Sequence, residues 1–170
     1  EKGPVPAEYA IIGLGPVQLT VPNPVQTVKV LTELMGFRYK GQYASPVDGQ
    51  PDILVFETGE GGTGAEVHVE ERTDLPQERL GRGGVHHVAF RVEDEEELRS
   101  WIDRIGDVGF SNSGFVDRFY FRSLYFREPN GILFEVATDG PGFDTDEHID
   151  HLGEPLALPP FLEPKREQIE

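Results

Sequence analysis

One stretch of this chain is written twice. Residues 13–37 read GLGPVQLTVPNPVQTVKVLTELMGF, and residues 84–110 read GVHHVAFRVEDEEELRSWIDRIGDVGF. Gly13 to Asn23 align with Gly84 to Asp94 without a gap, and Gly36-Phe37 answers Gly109-Phe110. Each copy runs from an apolar strand through a capped helix to a Gly-Phe exit. A repeat of this kind means that one supersecondary unit, unable to bury its apolar face alone, is used more than once. In the first copy Asn23 is the expected N-cap, Pro24 opens the helix, Val28, Leu31 and Leu34 form its apolar face, and Gly36 ends it. In the second, Asp94 and Glu97 form a capping box, and Leu98, Trp101, Ile102 and Ile105 fall on one stripe. The acidic run Glu93 to Glu97 reads as a helix N-terminus favoured by the macrodipole rather than as a cation site.

Strands follow each helix. In the first copy they are expected at 50–58 and 65–70. In the second they are expected at 119–127 and 131–138, joined by Glu128-Pro129-Asn130-Gly131, a hairpin signal. The Gly-rich stretches at 59–64 and 81–84 follow no dinucleotide or phosphate-loop spacing and read as turns. The expected fold class is α+β: two repeated β-α-β-β-β modules, residues 13–80 and 81–140, forming a curved mixed sheet. A Pro- and Gly-bearing linker at 1–12 precedes them. An acidic, Pro-rich tail at 141–170 follows, with Leu156, Leu158, Phe161 and Leu162 available to pack along the body.

Composition removes whole classes of function. There is no Cys, so disulfides, thiolate metal sites and Cys nucleophiles are excluded, and any metal must be held by nitrogen and oxygen. A formal net charge of −16 repels phosphate backbones, so no nucleic-acid partner is expected. No run approaches the roughly 20 apolar residues that span a bilayer. With no export signal visible, a cytoplasmic protein is expected. Only four of the basic residues are Lys, which with the acidity is compatible with a high-salt organism. Glu1 rather than Met opens the chain, so a portion of something longer is expected.

Two polar residues break the strand pattern. On Val85 to Val92, alternation puts His86, Val88, Phe90 and Val92 on the helix-packing side and His87, Ala89 and Arg91 on the other. On Ile132 to Ala137, Ile132, Phe134 and Val136 pack on the helix, and Glu135 points away with Leu133 and Ala137. A carboxylate in so apolar a strand is costly unless it is paired or binds a metal. The ordinary solution is an ion pair with Arg91, Arg122 or Arg127. The alternative is that His87 and Glu135 converge as two-thirds of a 2-His-1-carboxylate triad. The hairpin places Tyr125 opposite Glu135, with Arg118 just before that strand. A phenol and a guanidinium there suit an acidic hydroxylated substrate, although Tyr125 can equally be packing in an aromatic strand.

A repeated β-α-β-β-β unit with His on its first strand and Glu on its last resembles the vicinal oxygen chelate superfamily of glyoxalases, bleomycin-resistance proteins and extradiol dioxygenases. GVHHVAFRV, YFRSLYFREPNGILFEVATDGPGF and LGEPLALPPFLEPKREQIE resemble, more closely, the C-terminal half of bacterial hydroquinone-type ring-cleaving dioxygenases. The resemblance implies Fe(II) held by His87 and Glu135, with His86, Arg118 and Tyr125 around a small hydroxylated aromatic substrate and O2. Mn, Zn, Ni or Co are the alternative metals. It implies a third ligand, a His from an N-terminal half of the same protein or from a separate chain, and it allows a homo-oligomer. Within this sequence the repeat's counterpart of His87 is Pro16, which cannot ligate, so the first module is expected to hold no metal ligand. His68 sits in an ordinary alternating strand, and His148 and His151 lie in the acidic tail. A glyoxalase-type lyase or isomerase, and a metal-free module that sequesters small aromatics, are the other readings of the fold.

Overall fold

The computed structural model describes residues 5–170. The chain divides into two compact units, Glu1–Arg79 and Leu80–Glu170. Residues 1–4 of the expected linker lie outside the described residues; beyond them Ala7–Tyr9 form a single 3-10 turn with no buried side chain.

The first unit contains β1 (Val17–Val21), α1 (Pro24–Lys29), β2 (Arg38–Tyr43), β3 (Ile53–Glu57) and β4 (Glu66–Glu71). Its sheet has the order β1-β4-β3-β2. The first and last strands pair in parallel, and the remainder pair antiparallel. Beyond Lys29 the helix widens into a π-helical turn, Val30–Leu34. Thr27, Val30, Leu31 and Leu34 are buried on one stripe at i, i+3, i+4, i+7, whereas Val28, expected on the apolar side, lies beside that stripe and is only half-buried. β2 has no alternation in RYKGQY and is largely exposed, so no sequence pattern placed it. One extra residue between Tyr39 and Gly41 bulges it.

The second unit repeats the plan with β5 (Val88–Val92), α2 (Glu95–Asp107), β6 (Val116–Asp117), β7 (Phe121–Arg127) and β8 (Leu133–Pro141), in the order β5-β8-β7-β6. The α+β class and the repeated module are as expected; the strands pair as two four-stranded sheets, one per unit. Asp94 caps α2 by accepting from the Glu97 backbone N–H at 2.9 Å, and Glu97 reaches back to the Glu93 N–H at 2.8 Å. Leu98 and Ile105 are fully buried, and Trp101 and Ile102 are half-buried at the margin of the same stripe. They meet Leu124, Phe126, Phe134 and Val136, buried residues of β7 and β8. Each such side chain contributes about 1.5–3 kcal/mol by leaving water. Phe119 and Tyr120, expected on a strand, instead form the β6–β7 turn. The 128–131 hairpin forms as expected, with Gly131 at φ 92°, where a side chain would strain the backbone.

The tail packs less than expected. Leu158 is buried, but Leu156 and Phe161 are exposed, and the segment ends in one helical turn, α3 (Arg166–Ile169). Among the described residues no helix is long and apolar enough to cross a membrane.

Candidate functional site

The second unit's sheet has two faces of opposite character. Alternation along β8 sends Phe134 and Val136 under α2 and leaves Glu135 on the other face. Register then decides its neighbours: Ala89 of β5 lies beside it in parallel, and Tyr125 of β7 lies opposite it. Ala89 and Ala137, its neighbours on this face, are both small.

The five residues singled out in the sequence form one continuous chain of contacts. Nε2 of His87 lies 2.7 Å from Oε2 of Glu135. The Tyr125 hydroxyl donates to Oε1 of the same carboxylate at 2.5 Å. Nε of Arg118 donates to the Tyr125 hydroxyl at 3.3 Å, and its guanidinium lies 5.2 Å from the centre of that ring. Nδ1 of His86 is 2.9 Å from Nδ1 of His87. Glu135 is only 3% exposed, whereas the His87 side chain is 35% exposed. A buried carboxylate thus has both oxygens engaged, and a half-open imidazole stands over one of them.

Strict alternation assigned His86 to the helix side. It does not go there, because β5 begins at Val88 and both histidines lie just before it, where the pleat imposes no alternation. The ordinary ion-pair partners considered for Glu135 are committed elsewhere. Arg91 pairs with Asp139, Arg122 with Glu95 and Asp117, and Arg127 donates to the Gly131 carbonyl. One supporting residue had no signal in the sequence. Ser113 exchanges backbone and side-chain hydrogen bonds with Tyr125: its amide donates to the Tyr125 carbonyl, and its hydroxyl accepts from the Tyr125 amide, both at 2.9 Å. It lies between α2 and β6, outside any regular strand, so no periodicity marks it.

The first unit's counterpart is chemically closed. His68 takes the register position that Glu135 holds in the second unit, paired to β1 at Gln18 and to β3 at Val55. Both of its ring nitrogens are engaged, Nδ1 with the Tyr43 hydroxyl and Nε2 with Glu66, each at 3.1 Å. Lys40 in turn binds Glu66 at 2.6 Å, which lowers the Glu66 carboxyl below its ordinary range; the bond from His68 acts in the same direction. His148 and His151 are exposed beside Asp150 and Glu154.

Nitrogen and carboxylate donors at His87 and Glu135 suit a borderline or hard divalent cation. They fill two ligand positions. Among the described residues no group of three or more His, Asp or Glu converges to complete a set.

Comparison with known proteins follows the same lines. Residues 13–136 match the family model described as Glyoxalase/Bleomycin resistance protein/Dioxygenase superfamily. A Bacillus subtilis (strain 168) protein named "Putative ring-cleaving dioxygenase MhqA" is 57% identical over 166 residues, covering 98% of this chain and 52% of its own length. The chlorohydroquinone/hydroquinone 1,2-dioxygenase of Sphingobium indicum is 32% identical over 125 residues, 72% of this chain and 38% of that protein. Among solved structures, a "putative dioxygenase" from Bacillus subtilis subsp. subtilis str. 168 superposes with a TM-score of 0.85 at 36% identity, over 98% of this chain and 51% of that one. The chain therefore spans about half the length of the Bacillus relatives it matches. With two βαβββ units and a family match across most of its length, the chain belongs to the glyoxalase/bleomycin resistance/dioxygenase superfamily.

Proposed function

We propose that this chain carries the metal-binding and substrate-orienting part of an Fe(II)-dependent ring-cleaving dioxygenase that acts on a small hydroxylated aromatic in aromatic catabolism. The observation that carries the reading is the His87–Glu135–Tyr125 arrangement: a buried carboxylate shared between an imidazole and a phenol. The similarity to a protein named as a ring-cleaving dioxygenase and to a chlorohydroquinone/hydroquinone 1,2-dioxygenase supports the choice of substrate class.

His87 and Glu135 would hold the metal, and a third donor would come from outside the described residues, from an N-terminal half or a second chain. When bound, the metal supplies a common docking point for the substrate oxygen and O2 and accepts charge transiently. The protein's own groups do the rest. Tyr125, anchored at one side by Glu135 and approached by Arg118, is placed to exchange a proton with the substrate hydroxyl. The Arg118 guanidinium favours the oxygen anion left behind. His86, exposed and touching His87, is a second hydrogen-bonding group within reach.

The test is O2 uptake by the anaerobically Fe(II)-loaded protein given hydroquinone or catechol. Replacement of His87 or Glu135 by Ala is expected to abolish both uptake and stoichiometric iron retention. Uptake that survives either replacement would sink the proposal. A metal-free module that sequesters phenols is favoured by one observation, the direct pairing of His87 with Glu135, with no third His, Asp or Glu converging on them among the described residues. It predicts hydroquinone binding that chelators and the His87→Ala replacement leave unchanged.

A further inference from the structure

The β6–β7 turn is held in a conformation that its sequence does not favour. Phe119 has φ 71°, in the left-handed region that a bulky L-residue adopts only when its surroundings impose it. The immediate imposing group is Arg122. Its NH1 donates to Oδ1 of Asp117 at 2.9 Å, to the Phe119 carbonyl at 3.1 Å and to the Phe121 carbonyl at 3.3 Å. The same Asp117 oxygen accepts from the Phe119 amide at 2.7 Å. From the far side, Nε of Arg122 is tied to Glu95 in the first turn of α2 at 3.2 Å. Its backbone sits where the β7–β8 register slips between Phe121 and Ser123, and the amide freed there donates to Thr138 Oγ1 at 3.0 Å. Thr138 passes the bond on to the Gly140 carbonyl. A single guanidinium, mostly shielded at 19% exposure, thus joins the helix, the turn and the irregular end of the sheet.

What that turn presents is Arg118. It lies between the Asp117 cap and Phe119, its amide bonds the Phe121 carbonyl at 3.0 Å, and its Nε reaches the Tyr125 hydroxyl. Arg122 itself touches none of the five site residues in these contacts. We propose that Arg122 is a positioning residue: by clamping the β6–β7 turn with Phe119 in the left-handed conformation, it aims Arg118 at Tyr125 and so sets the protein's hold on an anionic phenol oxygen. The consequence for ligand affinity rests on the function proposed above; the aiming of Arg118 does not.

Two readouts separate these. The first needs no ligand. The Arg118 Nε–H, assigned by its loss in Arg118→Lys, should give a protected nitrogen-15 NMR signal that Tyr125→Phe abolishes. Arg122→Gln should abolish it too. Asp117→Ala, an exposed substitution that releases the Phe119 amide, should do so even if Arg122→Gln fails to fold. A signal that stays protected in either folded variant overturns the proposal. The second readout is hydroquinone affinity under nitrogen for Arg122→Gln, Arg118→Met and the double variant. Arg122→Gln should weaken binding about tenfold, the order of one misplaced charge-assisted hydrogen bond. It should weaken it no further once Arg118 is gone. Losses that simply multiply in the double variant overturn the route through Arg118. If the unmodified protein binds no hydroquinone, the functional reading fails, and the NMR result still decides what Arg122 does.

Discussion

Glu135 is where the chemistry of this chain is concentrated in single atoms. A carboxylate 3% exposed has given up water and needs partners within the protein, and it has two, His87 on one oxygen and Tyr125 on the other. Tyr125→Phe removes one of them without changing the ring, so it should destabilise the protein by about 1–3 kcal/mol, the cost of leaving a buried acceptor unpaired. Urea unfolding measures this directly, and an unchanged midpoint would mean that the phenol and the carboxylate do not bond in solution. The pair His87 and Glu135 was legible in the sequence because each is a polar exception in an apolar stretch. Their being in contact was not, since that depends on β5 and β8 lying side by side, a fact of pairing and not of composition. Arg122 shows the converse. The sequence offered it as a partner for Glu135, yet alternation along β7 sends it to the helix side, where it meets Glu95. Strand parity, once the strand's start is known, outranks charge complementarity.

At the level of elements, helices were more readable than strands. The capping box at Asp94 and the stripe from Leu98 to Ile105 mark α2 almost fully, because a helix writes its geometry into neighbouring residues. β2 and β6 carry no such mark: one is exposed along most of its length, and the other is two residues long and forms only by pairing with β7. The start of the tail is fixed by a turn residue. Tyr120 stacks on Phe143 with ring centres 5.3 Å apart and donates to Asp146 at 2.9 Å. Burial raises its phenol above the ordinary tyrosine range, and the bond to Asp146 and the charges of Asp146, Glu147 and Glu163 add to this. A raised value in the folded state means that the neutral phenol is the stabilising form. Its contribution is complete below about pH 10 and is lost as pH climbs through the higher folded value. Stability of the native chain should therefore decline in that alkaline window, and the decline should be shallower in Tyr120→Phe. Parallel alkaline limbs would assign the loss to other groups.

For the molecule as a whole, 31 acidic residues face 15 basic ones. Basic side chains can offset only about half of that negative charge, so self-repulsion is expected to outweigh pairing at the surface. Raising NaCl from a few millimolar to about 0.5 M shortens the reach of that repulsion to a few ångströms and should raise the thermal midpoint. A fall would show that the surface ion pairs dominate instead. The repeat is what made the architecture readable at this scale, since two copies of one plan imply two similar sheets. It could not reveal that the copies diverge in chemistry, His68 tied up by its own strand and Tyr43 while the second unit's donors remain grouped. The parallel pairing of β5 with β8 bears also on how the protein is born. Parallel neighbours cannot be joined by a tight turn, and here the helix and two further strands lie in the chain between the first and last strands of the module. On the ribosome, His87 leaves the exit tunnel long before Glu135 and waits for it. The two can come together only after the closing strand has been released, so during synthesis the candidate site cannot form until nearly the whole module is outside the tunnel.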